Sequence, residues 1–153
     1  MPSLCGSGGG ALIALLLLSS PMANAQIQFT DATSAAGFQG LVTPTYGASW
    51  GDLNGDGWPD LFANNHARKG SIFLNQANGS FSDVIDQVDG SGFLSGIGRN
   101  EDTHGGTWVD FDNDGDEDLQ VTTGNCCDPQ FFVNENGILH YRSAEYGFGG
   151  PAG

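Results

Sequence analysis

Three observations in the sequence predict an all-β fold of two four-stranded antiparallel units. The first is an internal repeat. Trp50 and Trp108 lie 58 residues apart, as do Asp52 and Asp110. Asn75 and Asn134 lie 59 apart, and Asn78-Gly79 and Asn136-Gly137 lie 58 apart. Four landmarks at nearly one spacing mark a repeated supersecondary unit. The second observation is a nine-residue, oxygen-rich loop present once in each unit. The third is a short apolar run in each unit, Ile72-Phe73-Leu74 and Phe131-Phe132-Val133, with Asn-Gly after it. Such runs suit inner strands. Asn-Gly favours a tight hairpin, because a type I′ turn needs φ > 0 at both central residues.

In chain order, residues 1–25 read as a signal peptide helix. Ala11 to Leu18 is an apolar core too short to span a bilayer. Ser19-Ser20-Pro21-Met22 follows, then Ala23-Asn24-Ala25, an A-x-A cleavage site. The n-region carries only the terminal amine as positive charge. Cys5 precedes the apolar core, which argues against a lipoprotein. A secreted or periplasmic location is therefore expected, and no other segment has the length and apolarity of a membrane span.

The mature chain, Gln26–Gly153, has the length of one small domain. It holds all 18 acidic residues against Arg68, Lys69, Arg99 and Arg142, and the whole chain has a formal charge of −14. Nine of the 18 acids fall inside the two loops, so much of the acidity is concentrated ligand charge. Nucleic acid is excluded as a partner by phosphate repulsion. An anionic membrane surface is disfavoured for the same reason. Cys126 and Cys127 are adjacent in a loop, which provides no disulfide framework. A vicinal disulfide, pairing outside the chain, and free thiols all stay open.

Residues 26–45 read as the tail strand of a preceding unit and a linker. Phe29-Thr30-Asp31-Ala32 parallels Phe81-Ser82-Asp83-Val84, and Ser34 to Phe38 parallels Ser143 to Phe148. The first unit, 46–93, is expected to place strands at about 46–52, 60–65, 70–76 and 80–85. Residues 94–102 form a linker. The second unit, 103–148, is expected to place strands at about 103–110, 118–123, 130–135 and 138–143. Residues 149–153 read as a truncated linker.

Each oxygen-rich loop joins strands one and two of its unit. The first is Asp52-Leu53-Asn54-Gly55-Asp56-Gly57-Trp58-Pro59-Asp60. The second is Asp110-Phe111-Asp112-Asn113-Asp114-Gly115-Asp116-Glu117-Asp118. Both read D-x-[DN]-x-D-G-x-x-D. Ca²⁺ takes about 6–8 oxygen ligands. Side chains at positions 1, 3, 5 and 9, with the backbone carbonyl at position 7, can converge on one such ion. The candidate ligands are therefore Asp52, Asn54, Asp56, the Trp58 carbonyl and Asp60 in loop one. In loop two they are Asp110, Asp112, Asp114, the Asp116 carbonyl and Asp118. Gly57 and Gly115 at position 6 permit the sharp turn. Position 12, where an EF-hand carries a bidentate Glu and a dockerin an Asp, is Ala63 or Val121. Water must complete the shell, so weak affinity is expected, toward about 10⁻⁴–10⁻³ M.

The doubled loops, the Asn-Gly turns and the period resemble FG-GAP/VCBS repeats, the blades of integrin-α-type β-propellers. The string Phe29-Thr30-Asp31 to Ala36-Gly37-Phe38, with Gly47-Ala48-Ser49-Trp50-Gly51-Asp52 after it, is similar to secreted proteins of the ASPIC/UnbV and cartilage-acidic-protein type. The likeness covers residues 26–148. It implies two four-stranded blades of a β-propeller in an incomplete ring, and it assigns Ca²⁺ to the ligands just named. Such propellers usually have about seven blades, within the general range of roughly 4–8. The chain supplies two and lacks the C-terminal ASPIC/UnbV segment. An N-terminal fragment is thus the expectation, with further blades as partners. Assembly of short chains into a ring is the other reading.

Candidates for catalysis are weak. His104-Gly105-Gly106 has the form of an esterase oxyanion loop, but no G-x-S-x-G elbow accompanies it. It aligns with Tyr46-Gly47-Ala48, which makes it strand one of the second unit. Glu101, Asp102 and His104 lack a nucleophile, and His66 and His140 occupy non-equivalent repeat positions. Asn78-Gly79-Ser80 is a sequon in form and reads as turn chemistry. Trp50 and Trp108 read as core. The function expected is a non-enzymatic, Ca²⁺-stabilised module that binds a protein or carbohydrate ligand or is structural. The alternative is the non-catalytic propeller portion of a larger secreted hydrolase or lyase.

Overall fold

The computed structural model describes residues 27–38, 44–66, 68–90, 103–124 and 128–147. The expected signal peptide, the linkers 94–102 and 149–153, and Cys126 and Cys127 lie outside the described residues. Two compact units divide the chain at Thr30. Of the first, residues 27–30 are described; they are irregular, with exposed side chains.

The second unit holds two four-stranded antiparallel meanders. The first sheet is β1 (Ala48–Gly51), β2 (Asp60–Asn65), β3 (Arg68–Asn75) and β4 (Phe81–Asp83), hydrogen-bonded in chain order. A single helical turn, α1 (Ile85–Val88), follows. The second sheet is β5 (Thr103–Val109), β6 (Asp118–Thr123), β7 (Gln130–Glu135) and β8 (Ile138–Tyr141). The expected strands 60–65, 118–123 and 130–135 coincide with β2, β6 and β7. Strand four of the first unit is shorter than expected. The Ile85 N–H donates to the Asp83 carboxylate at 3.2 Å, and this local turn leads the chain out of the ladder into α1, where Ile85 is buried.

The two Asn-Gly turns differ. Asn136 (φ 56°) and Gly137 (φ 84°) form a two-residue hairpin between the paired Glu135 and Ile138. The first unit has one more residue between its Asn landmark and its Asn-Gly. There the ladder closes at Asn75 and Phe81, and a wider loop carries φ > 0 at Ala77 and Gly79 rather than at Asn78. The Asn78 side-chain Oδ1 instead accepts from the Ser80 N–H and hydroxyl at 2.9 and 2.7 Å.

The tail strand expected before the first unit is absent from the described residues. Residues 33–37 form a turn that ends on Gly37 (φ 89°), and residues 143–147 form its counterpart, ending on Gly147 (φ 76°). The aromatic residue of each turn region covers its sheet. Phe38 stacks on Phe81 at 4.8 Å, and Tyr146 meets Phe131 edge-on at 4.9 Å.

The sheets pack through their first strands, and glycine sets the spacing. A Cβ on Gly51 would stand 2.2 Å from the Trp108 ring, and one on Gly106 would stand 2.7 Å from Phe62. Trp108, Phe62, Ile72, Leu119, Phe132, Leu139 and Leu53 share one core across both sheets. Burial of each large apolar side chain stabilises by about 1.5–3 kcal/mol. The pairing of Trp50 with Trp108 as core residues holds for only one of them. Trp108 is 8% exposed between the sheets, whereas Trp50, on the far face of the first sheet, is 58% exposed.

Candidate metal centre

Each loop is closed by the first pair of its ladder, Gly51 with Asp60 and Val109 with Asp118. Between these ends the chain folds around its own carboxylates. In loop one the Asp56 N–H donates to Asp52 Oδ1 at 3.1 Å and to Asn54 Oδ1 at 3.2 Å. The Gly57 N–H donates to Asp52 Oδ2 at 2.8 Å, and the Trp58 N–H to Asp56 Oδ1 at 2.8 Å. Loop two repeats the set. Asp114 N–H donates to Asp110 Oδ1 and Asp112 Oδ1, both at 3.2 Å. Gly115 N–H donates to Asp110 Oδ2 at 3.2 Å, and Asp116 N–H to Asp114 Oδ1 at 2.9 Å. The wrap needs left-handed backbone twice per loop, at Gly55 (69°) and Gly57 (83°), and at Asn113 (64°) and Gly115 (103°). Position 4 was not singled out in the sequence. Its signal was the Gly/Asn pair, the residues that tolerate φ > 0 best.

This wrapping gathers oxygen. Single carboxylate oxygens of Asp110, Asp112 and Asp114 lie within 4.8 Å of one another, and all three residues are exposed. In loop one Asn54 replaces the middle carboxylate, and its amide donates to Asp56 Oδ2 at 2.9 Å. Oxygen-only donors at this closeness suit a hard divalent cation. Among the described residues these donors fit Ca²⁺, with Asp52, Asn54 and Asp56, and Asp110, Asp112 and Asp114, as the side chains that would hold it. Position 7 is Trp58 or Asp116, whose backbone lies against the position-5 carboxylate through the N–H bonds above.

Position 9 is built differently. Asp60 and Asp118 are fully buried. Asp60 accepts from the Leu53 N–H at 3.0 Å and the Asn75 N–H at 2.8 Å, one per oxygen. Asp118 accepts in the same way from Phe111 and Asn134, each at 2.9 Å. Each carboxylate thereby ties the loop to its third strand. Burial pushes both carboxyls above the usual range. The N–H donors oppose that shift, and the neighbouring loop carboxylates, Asp56 and Asp52 or Asp112 and Asp114, reinforce it.

Three supporting residues escaped the sequence reading. Asn75 donates to the Pro59 carbonyl at 3.0 Å, and Asn134 to the Glu117 carbonyl at 3.0 Å. Both hold position 8 of their loops, and their signal was the repeat spacing itself. Asn134 also donates to the Leu53 carbonyl at 2.8 Å, and Glu117 Oε2 accepts from the Asp52 N–H at 2.7 Å. These two bonds join the loops, and no local pattern announces them. An open groove of about 250 Å³ beside loop one is lined by Trp50, Gly51, Asp52, Gly57, Pro59 and Glu117.

At the opposite end of the strands, Tyr46 lies edge-on to His66 and His104, with centroids 4.9 and 5.1 Å away. His104 is on β5, as the repeat alignment expects, and Glu101 and Asp102 lie outside the described residues. Among the described residues no helix is long and apolar enough to cross a membrane.

No curated protein matches the chain. Residues 52–121 are similar to the FG-GAP-like repeat, from the first candidate ligand of loop one, through loop two, into β6, a likeness that points to a propeller-like interaction module.

Proposed function

We propose that the chain is a Ca²⁺-stabilised pair of β-propeller blades, exported from the cytoplasm, that serves a structural or protein- or carbohydrate-binding role and catalyses no reaction. The observation that carries this reading is the convergence of Asp110, Asp112 and Asp114 within 4.8 Å, on a backbone template that loop one repeats bond for bond. Bound Ca²⁺ would neutralise the clustered carboxylates and clamp the connection between strands one and two of each sheet. The protein supplies the rest. Asp60 and Asp118 brace each loop from below, and Glu117 and Asn134 bind the loops to each other. Within the repeat class, the ASPIC/UnbV and cartilage-acidic-protein type remains part of the proposal, on the strings around Phe29 and Gly47. Further blades of a longer protein are the natural neighbours of these two.

Calorimetric titration with Ca²⁺, before and after chelation, tests the reading. Two ions should bind. Tm should rise with Ca²⁺, because a ligand of the folded form stabilises by RT ln(1 + [L]/Kd). An absence of binding heat together with an unchanged Tm overturns it.

A further inference from the structure

The contact between the two sheets shows what the Trp50 face of the first sheet fits, a face that Phe38 covers only over Phe73 and Phe81. On β5, Trp108 and Gly106 face the first sheet, and their counterparts 58 residues earlier are Trp50 and Ala48 on β1. Trp50 is 58% exposed, on the face of the first sheet that looks away from the second. Trp108 finds a seat on the first sheet because Gly51 has no side chain; a Cβ there would stand 2.2 to 2.7 Å from three atoms of the Trp108 side chain. Phe62 fills the space above Gly106. Asn64 completes the seat by accepting from the Gly47 N–H at 2.5 Å and donating to the Thr103 carbonyl.

The second sheet does not offer this seat on its own outer face. The counterparts of Gly51, Phe62 and Asn64 are Val109, Gln120 and Thr122. Val109 is 44% exposed and carries the branched side chain that the Gly51 position forbids. A tryptophan seated as Trp108 is would therefore strike it. Interiors tolerate such overpacking poorly.

Resting on the repeat reading above, we infer that the Trp50 face is an interface for a β-sheet that presents glycine opposite Trp50 and a side chain smaller than phenylalanine opposite Ala48, and that this partner is not another copy of this chain. The second requirement follows from Ala48 itself. Gly106 already brings Phe62 to within 2.7 Å of a notional Cβ, and Ala48 carries that atom. Val109 thereby acts as a guard. Two copies joined face to tail would form a heterologous contact that propagates, and one valine blocks it.

The test compares self-association of the whole chain with that of Trp50→Ala, in the wild-type and Val109→Gly backgrounds, by sedimentation equilibrium with folding checked by circular dichroism. Val109→Gly should associate, and Trp50→Ala should weaken that association by about 30-fold or more, the loss typical of a central tryptophan. In the wild-type background, Trp50→Ala should change nothing. A Trp50 effect in the wild-type background, or none in a folded Val109→Gly chain, overturns the inference. If Val109→Gly does not fold, the wild-type comparison still decides whether a copy is the partner. Ca²⁺-dependent melting of the same samples reports separately on the metal reading.

Discussion

Glu117 accepts a hydrogen bond at 2.7 Å from the backbone N–H of Asp52, 65 residues away. Position 8 of the second loop thus holds position 1 of the first. The carboxylate that would begin site one is oriented by the loop that would form site two.

Glu117→Ala should therefore destabilise the chain by about 1–2 kcal/mol, toward the lower end for a hydrogen bond to a charged group because Glu117 is only half-buried. It should also weaken Ca²⁺ binding at loop one while loop two keeps its affinity. Glu117→Gln, which retains an acceptor, should lose less. Urea unfolding with and without Ca²⁺ measures both effects, and an unchanged midpoint for Glu117→Ala would show that this bond contributes nothing.

The buried carboxylates should matter more than the less buried ones when metal is absent. Asp60→Asn and Asp118→Asn each turn an NH₂ donor toward a backbone N–H that now finds an acceptor. Leaving one buried donor unsatisfied costs about 1–3 kcal/mol. Asp52→Asn and Asp110→Asn, at loop positions that are not fully buried, should cost less in chelator. Equal losses at the two kinds of position, read from denaturant midpoints in chelator, would refute the brace.

Ligand charge should rank the two sites. Loop two offers three convergent carboxylates, and loop one has Asn54 at the middle position. Two carboxylates about 4–5 Å apart repel by roughly 4 kcal/mol at an effective dielectric of about 20. Site two should bind Ca²⁺ more tightly and should gain more order on binding. Asp112→Asn should weaken the tighter constant, and Asn54→Asp should strengthen the weaker one. The ranking fails if calorimetry finds the tighter constant unmoved by Asp112→Asn.

Gly51→Ala should be among the most damaging single changes in the first sheet. The added methyl would meet the Trp108 side chain at 2.2 Å, so the sheets must part or Trp108 must leave its seat. Overpacking of this kind costs about 1–3 kcal/mol or more. Gly55→Ala, whose Cβ meets nothing within 4 Å, should pay only for its positive φ. Trp108 fluorescence should shift toward solvent in Gly51→Ala and stay put in Gly55→Ala.

The sequence by itself determined the repeat, the all-β class, three strands to the residue, and the positions Asp110, Asp112 and Asp114, whose oxygens lie close together. These features are local. Alternation, turn residues and ligand spacing act within about ten residues, and each is written twice. The wider first hairpin departs from the tight turn that Asn-Gly led one to expect, and its signal was the one extra residue between Asn75 and Asn78. Tertiary structure alone decided the rest. Asp60 and Asp118 became buried braces because their oxygens meet N–H groups of a third strand. Glu117 and Asn134 became links because the sheets bring distant loops together. Trp50 and Trp108 hold the same place in the repeat, yet one is covered and one is bare. Burial depends on what stands across the interface, and there the neighbour of Trp108 is Gly51, a residue 57 positions earlier that no local pattern pairs with it.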